Sequence, residues 1–198
     1  GIVSTKPAAD VGEALGRIHA ATADKASVAE RFATDDIFHA IRIEPYLLRT
    51  AKTCTDVAHR LTALARTTAD MHRVLVHGDV SPKNILISPK GPLLLDAECA
   101  WYGDPAFDLA FCLNHLLLKC IWKPANVTAY LAAYDVLTGA YLNHLSWEPR
   151  GQFEARTAAL LPGLLLARVD GTSPVEYITI EADKQTIRRA ARRGLKEP

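Results

Sequence analysis

Three short apolar runs, at 74–76, 84–88 and 92–95, interrupt a chain whose remaining pattern is helical. Each run is too short for a stable helix and rich in Val, Ile or Leu, so each reads as a strand. Pro89-Lys90-Gly91 is a turn between the second and third runs. The first and second are joined by a tight connection at 78–83, where Gly78 eases the backbone and Pro82 stiffens it. A loop held by strands at both ends is a rigid place for functional groups.

Helical periodicity accounts for most of the remainder. Residues 8–22 form an Ala-rich helix with Val11, Leu15 and Ile18 on one face. Residues 35–50 read as one or two helices, with Pro45 opening a new first turn. Over 55–71, Val57, Leu61, Leu64, Thr68 and Met71 recur at helical spacing. Further helices are expected at 105–120, 125–145, 150–168 and 179–194, with a loop at Asp170-Gly171-Thr172-Ser173-Pro174. The expected fold class is mainly α with a small β insertion, in a single domain over 1–198.

Composition excludes several function classes. A chain that is 49% hydrophobic can bury one sizeable core. A net charge of +1 gives no case for general nucleic-acid binding. Cys54, Cys99, Cys112 and Cys120 lack paired or zinc-type spacing and read as thiols of a reducing cytoplasm. The longest apolar stretch, 107–118, is broken by Asp108, Asn114 and His115, so it reads as a buried helix rather than a membrane span. The start of the chain lacks the charged-then-apolar order of a signal peptide. A cytoplasmic protein that binds neither nucleic acid nor membrane is expected.

The chemistry concentrates at 77–98. His77-Gly78-Asp79-Val80-Ser81-Pro82-Lys83-Asn84 puts an Asp and an Asn on one loop, and Asp96-Ala97-Glu98 follows an apolar run. Asp79 can accept a proton from an acceptor hydroxyl. Asn84 and Asp96 offer hard oxygen ligands that suit Mg²⁺. In an extended segment Glu98 points to the same side as Asp96 and adds a direct or water-mediated ligand. Taken singly, Asp79 and Asn84 can equally be turn residues. Asp104-Pro105 reads as a helix N-cap with Pro at the first helical position. Lys83 reads as solvated, with phosphate contact as its alternative.

His77-Gly78-Asp79 with Asn84 resembles the catalytic loop of aminoglycoside phosphotransferases and their choline-kinase-like relatives. That loop is the counterpart of the protein-kinase H-R-D-x-x-x-x-N loop. Asp96-Ala97-Glu98 resembles the metal segment that replaces the kinase D-F-G, and Gly103-Asp104-Pro105-Ala106-Phe107-Asp108-Leu109-Ala110 resembles the family's G-D-P-x-x-D-L-A motif. Gly12-Glu13-Ala14-Leu15-Gly16-Arg17-Ile18-His19-Ala20 is a weaker match to the helix opening the family's C-terminal lobe. The resemblance implies that Asp79 is the base, Asn84 and Asp96 are metal ligands, and His77 is structural beneath the loop. Asp108 braces the loop from the following helix. One departure is Ser81, where protein kinases often carry a Lys.

By that resemblance the chain is the C-terminal lobe of a protein-kinase-like α+β fold, with 74–110 carrying the catalytic loop and metal segment. The nucleotide-clamping N-terminal lobe is expected to be absent, since no Gly-rich hairpin or strand Lys precedes residue 77. A longer enzyme cut short, a truncated gene product and a lobe completed by another chain all fit. The implied activity is transfer of a phosphoryl group from ATP, or another nucleoside triphosphate, to a small-molecule hydroxyl with Mg²⁺. Little turnover is expected from the chain alone. The alternative is an inactive lobe serving as a binding or interaction module. A metal-dependent hydrolase built on His77, Asp79, Asp96 and Glu98 would want a denser ligand cluster. An exposed apolar surface near the site, and with it self-association, is also expected.

Outside the motifs, Trp101, Tyr102, Trp122 and Trp147 read as core, with an acceptor pocket as the alternative. Arg188, Arg189, Arg192, Arg193 and Lys196 read as the solvated face of the last helix. Glu148, Glu154, Asp170 and Glu176 are candidate acids for a cationic acceptor.

Overall fold

The computed structural model describes residues 4–197. It is mainly helical with a small β insertion, as expected from the pattern. Helix α1 (Thr5–Thr22) is followed by two short helices, α2 (Ala26–Arg31) and α3 (Asp35–Phe38). From α3 the backbone widens into a π-helix over His39–Leu48 before α4 (Arg49–Thr53), and α5 (Ala58–Asp70) completes the first half. Pro45 lies inside the π-helix and does not open a new helix. Proline has no N–H to donate to the preceding turn, and the wider helix accommodates that gap.

The strands pair in two separate antiparallel ribbons. Strand β2 (Ile85–Ser88) pairs with β3 (Gly91–Leu94) as a hairpin. Strand β1 (Val74–Val76) pairs instead with β4 (Trp101–Gly103), Val74 opposite Gly103 and Val76 opposite Trp101. Strand β4 has only three residues, too few to show a periodicity of its own. Trp101 is core, stacked on Phe38 at 4.3 Å between ring centroids, and Tyr102 is buried beside it.

The second half consists of α6 (Pro105–Trp122), α7 (Val127–Leu142), α8 (Arg150–Asp170) and α9 (Glu181–Lys196). Helix α6 is the central element, buried along most of its first three turns and packed between α7 and α8. Helix α1 lies along α7 at close range. A Cβ on Gly12 would stand 2.2 Å from the Leu137 carbonyl oxygen, so only glycine permits that approach. Among the described residues no helix is long and apolar enough to cross a membrane.

Much of the charge sequence inspection singled out is spent on the surface. Arg188 pairs with Asp170 and Glu181, while Arg192 and Lys196 both reach Asp56. Arg150 pairs with Glu154. On the β2–β3 hairpin Leu86, Ile87 and Leu93 are each about half exposed, as is Leu95 just beyond it.

Candidate active site

The loop leaving β1 is gripped from behind. The Asp108 carboxylate, fully buried on the first turn of α6, accepts the His77 N–H at 2.7 Å and the Gly78 N–H at 2.8 Å. Two charge-assisted bonds to adjacent backbone groups fix the entry of the loop. The same carboxylate lies 3.3 Å from His19 Nε2, whose Nδ1 is 2.7 Å from the Tyr141 hydroxyl. His19 can therefore donate from Nε2 and accept at Nδ1. This chain of contacts ties α1, α7 and α6 to the loop.

Gly78 follows with φ +80, and a Cβ there would meet Cys99 Sγ at 2.8 Å. Both facts require glycine. Burial pushes the Cys99 thiol up to about 11, so at neutral pH it is a packing group. His77 accepts the Asp79 N–H at Nδ1 over 3.2 Å, which orients the loop from beneath.

The Asp79 carboxylate is almost fully buried and faces a cation that sequence inspection missed. Arg42 Nη2 stands 3.0 Å from Asp79 Oδ2, and Arg42 Nε donates to the Gly78 carbonyl. The guanidinium rests over the Tyr46 and Phe111 rings, 5.9 Å from each centroid. Lys83 is well exposed, as expected, yet its Nζ comes within 3.5 Å of the same Oδ2. A sequence signal for Arg42 existed: it sits between Ile41 and Ile43, one helical turn before Tyr46, on the buried face.

The candidate metal ligands come from the other side of the loop. Asn84 ends the tight turn Pro82–Asn84, and its Nδ2 donates to the Asp79 carbonyl at 3.2 Å. That leaves the amide oxygen as its remaining acceptor. Asn84 O accepts from Leu95 N at 2.8 Å, which holds the chain just before Asp96 beside the loop. Asp96 has φ +64, a conformation uncommon for a residue with a Cβ and concentrated at functional sites. The segment is therefore not extended. The backbone turns at Asp96, and Asp96 and Glu98 reach the cleft from a turn.

Asp79, Asp96 and Glu98 line one cleft of about 650 Å³, whereas Asn84 is buried behind the loop and is not among the lining residues. Among the described residues no three His, Cys, Asp or Glu side chains converge on a metal position. Asp96 and Glu98 present carboxylates to the cleft, hard oxygen donors of the kind Mg²⁺ takes alongside waters and phosphate oxygens, whereas the Asn84 amide does not share that lining.

The motif carrying Asp104 is structural. Its Oδ1 caps α6 by accepting the Ala106 N–H at 3.0 Å, with Pro105 next. Burial pushes the Asp104 carboxyl upward, and Arg156, 3.2 Å away, opposes that shift while also bridging to Glu148 at 2.8 Å. Glu148, Glu154 and Asp170 are thus engaged in ion pairs, and only Glu176 of the candidate acids lines the cleft. Trp147 lies against His19 and Tyr141, and Trp122, over a third exposed, packs on Tyr177 outside the core.

His115 forms part of the cleft wall without being charged. Burial pushes its titration down to about 3; Arg168, Lys119 and Lys83 act in the same direction, and Asp79 acts against them. An unfolded His titrates near ~6.5, so below that pH the unfolded chain takes up a proton that the fold refuses. Stability from neutral His115 is complete above this range and is lost as pH falls toward 3. His115→Gln is expected to remove about 2 kcal/mol of the loss in urea-unfolding free energy between about pH 7 and 5. An unchanged pH slope would mean that His115 is charged in the folded protein.

The model of the phosphotransferase enzyme family matches residues 4–141, which takes in α1, the loop, the acidic segment and α6. The methylthioribose kinase of Geobacillus thermodenitrificans (strain NG80-2) is 29% identical over 116 residues. That match covers 58% of this chain and 29% of the kinase's length. With more than half of its residues matched, including every motif of the loop and its brace, the chain belongs to the phosphotransferase enzyme family.

Proposed function

We propose that this chain carries the catalytic loop and metal-holding acids of an ATP- and Mg²⁺-dependent phosphotransferase acting on a small-molecule hydroxyl. The observation that carries the reading is the shared cleft: a carboxylate on a loop locked by Asp108, with Asp96 and Glu98 lining the same space. Phosphoryl transfer is catalysed chiefly by positioning and charge neutralisation, and this arrangement offers both.

In this reading Asp79 receives the acceptor's hydroxyl proton as the hydroxyl oxygen bonds to the γ-phosphorus of ATP, whose bond to the β–γ bridging oxygen breaks to release ADP. Arg42 and Lys83 both stand at Oδ2, which leaves Oδ1 as the proton-accepting oxygen. Arg42 acts as a positioning residue that holds the carboxylate plane and the Gly78 carbonyl together. Asp96 and Glu98 would hold Mg²⁺ from the cleft, and the Asn84 amide oxygen would add a ligand from behind the loop. When bound, the ion supplies neutralising charge to the phosphate oxygens.

Phosphorus NMR of the purified protein with ATP, Mg²⁺ and a panel of small alcohols tests the reading. The expected result is a slowly formed phosphate ester that rises in step with ADP and stops when EDTA removes the metal. Ester cleavage without nucleotide, or turnover indifferent to EDTA, would contradict it.

A further inference from the structure

The cleft has a second chemistry, on the wall formed by α6, α8 and the segment at 173–177. Lys119 and Arg168 both line it, and neither has a carboxylate partner among the described residues. Arg168 Nη1 donates to the Tyr46 hydroxyl at 3.0 Å, but its Nε is buried with no hydrogen-bond partner. Lys119 Nζ lies over two ring faces, 5.2 Å from the Trp122 centroid and 5.1 Å from that of Tyr177. The Tyr177 hydroxyl and His115 Nε2 are also buried without partners. His115 and Lys119 stand one turn apart on the same face of α6.

Such a wall is incomplete by itself. Buried donors without acceptors cost about 1–3 kcal/mol each, and an unpaired half-buried cation adds to that. Burial pushes the Lys119 ammonium downward, a penalty that an incoming anion reverses. The acids of the cleft do not answer this wall. Asp79 is held by Arg42, Glu176 is on the exposed rim, and Asp96 and Glu98 come from the turn after β3.

We infer that the acceptor hydroxyl compound carries an acidic group, a carboxylate or a phosphate, bound by Arg168 and Lys119 with the Tyr177 hydroxyl. This inference rests on the phosphotransferase reading for the word acceptor, but the anion subsite itself does not. A compound of this kind spans the cleft with its anion on the α6–α8 wall and its hydroxyl toward Asp79. A cationic acceptor meets like charge on that wall and is rejected.

The test is a set of calorimetric and NMR titrations of the purified protein, without nucleotide, using four hydroxyl probes. These are D-glycerate (carboxylate), sn-glycerol 3-phosphate (phosphate), glycerol (neutral) and choline (cationic). At least one anionic probe is expected to bind ten-fold or more tighter than glycerol and choline, and which of the two binds identifies the acidic group. Arg168→Gln and Lys119→Met are each expected to weaken that binding ten-fold or more, with Arg168→Lys retaining part of it. Thermal melts separate loss of binding from loss of fold. Equal or tighter binding of choline, anion binding untouched by both variants, or no anion binding at millimolar concentration would overturn the inference. Anion binding without phosphate transfer would count against the phosphotransferase reading alone, and transfer to cationic acceptors against this inference alone.

Discussion

Asp79→Asn is expected to lower acceptor phosphorylation by roughly 10²–10⁴-fold while leaving the fold intact. Asparagine keeps the size of the side chain and an oxygen for Arg42, but it cannot take up a proton. Because proton acceptance belongs to the transition state, kcat and kcat/KM should fall together, with KM little changed. Asp79→Ala is a harsher variant. It leaves the Arg42 guanidinium buried without its anion, which costs about 3–5 kcal/mol when a buried pair is broken from one side. Comparing the two separates chemistry from scaffolding: both should lose turnover, and Asn, which keeps a neutral acceptor for the guanidinium, should lose less stability than Ala. Full turnover in the Asn variant would remove Asp79 from the chemistry. A biological effect that persists in it would favour a binding module.

Asp108→Ala should produce a stability loss comparable to that of Asp79→Ala. It leaves the His77 and Gly78 N–H groups without their shared acceptor and removes the partner of His19. Hydrogen bonds to a charged group contribute about 1.5–3 kcal/mol each, so the loss is about 4 kcal/mol. For a domain of this size that corresponds to a fall in Tm of roughly 8–16 °C. Asp108→Asn retains one acceptor oxygen but turns an NH₂ toward an N–H donor, so about half the loss is expected. Scanning calorimetry of the two variants checks the order. Turnover should fall in both, because the loop that presents Asp79 starts at the two released N–H groups. A melting point within 2 °C (~0.5–1 kcal/mol at this size) of the parent for Asp108→Ala would mean that water or another donor set replaces the brace.

The legible part of this protein was local. Asp79, Asn84, Asp96 and Glu98 fall in one contiguous segment, where turn residues and short apolar runs mark the loop directly. The cap at Asp104 and the helices from α5 onward were readable for the same reason, since caps and periodicity are written in neighbouring residues. What stayed hidden depends on tertiary proximity. Arg42 meets Asp79 only because the π-helix folds back under the loop. Arg168 and Lys119 share a wall although they come from different helices. Strand β4 is defined by its partner β1 and by Trp101 packing on Phe38 more than by its own three residues. The extended geometry assumed for Asp96 and Glu98 failed because backbone at φ +64 leaves no mark on side-chain alternation.

The most direct measurement uses Mn²⁺ in place of Mg²⁺, since both favour hard oxygen ligands. Paramagnetic broadening of backbone amide signals, recorded with Mn²⁺ and ADP, reports which residues surround the bound ion. Selective loss of the Asp79, Asn84, Asp96 and Glu98 signals, relieved by Asp96→Asn, is the expected result. Broadening centred elsewhere, or equal broadening in Asp96→Asn, would contradict the account.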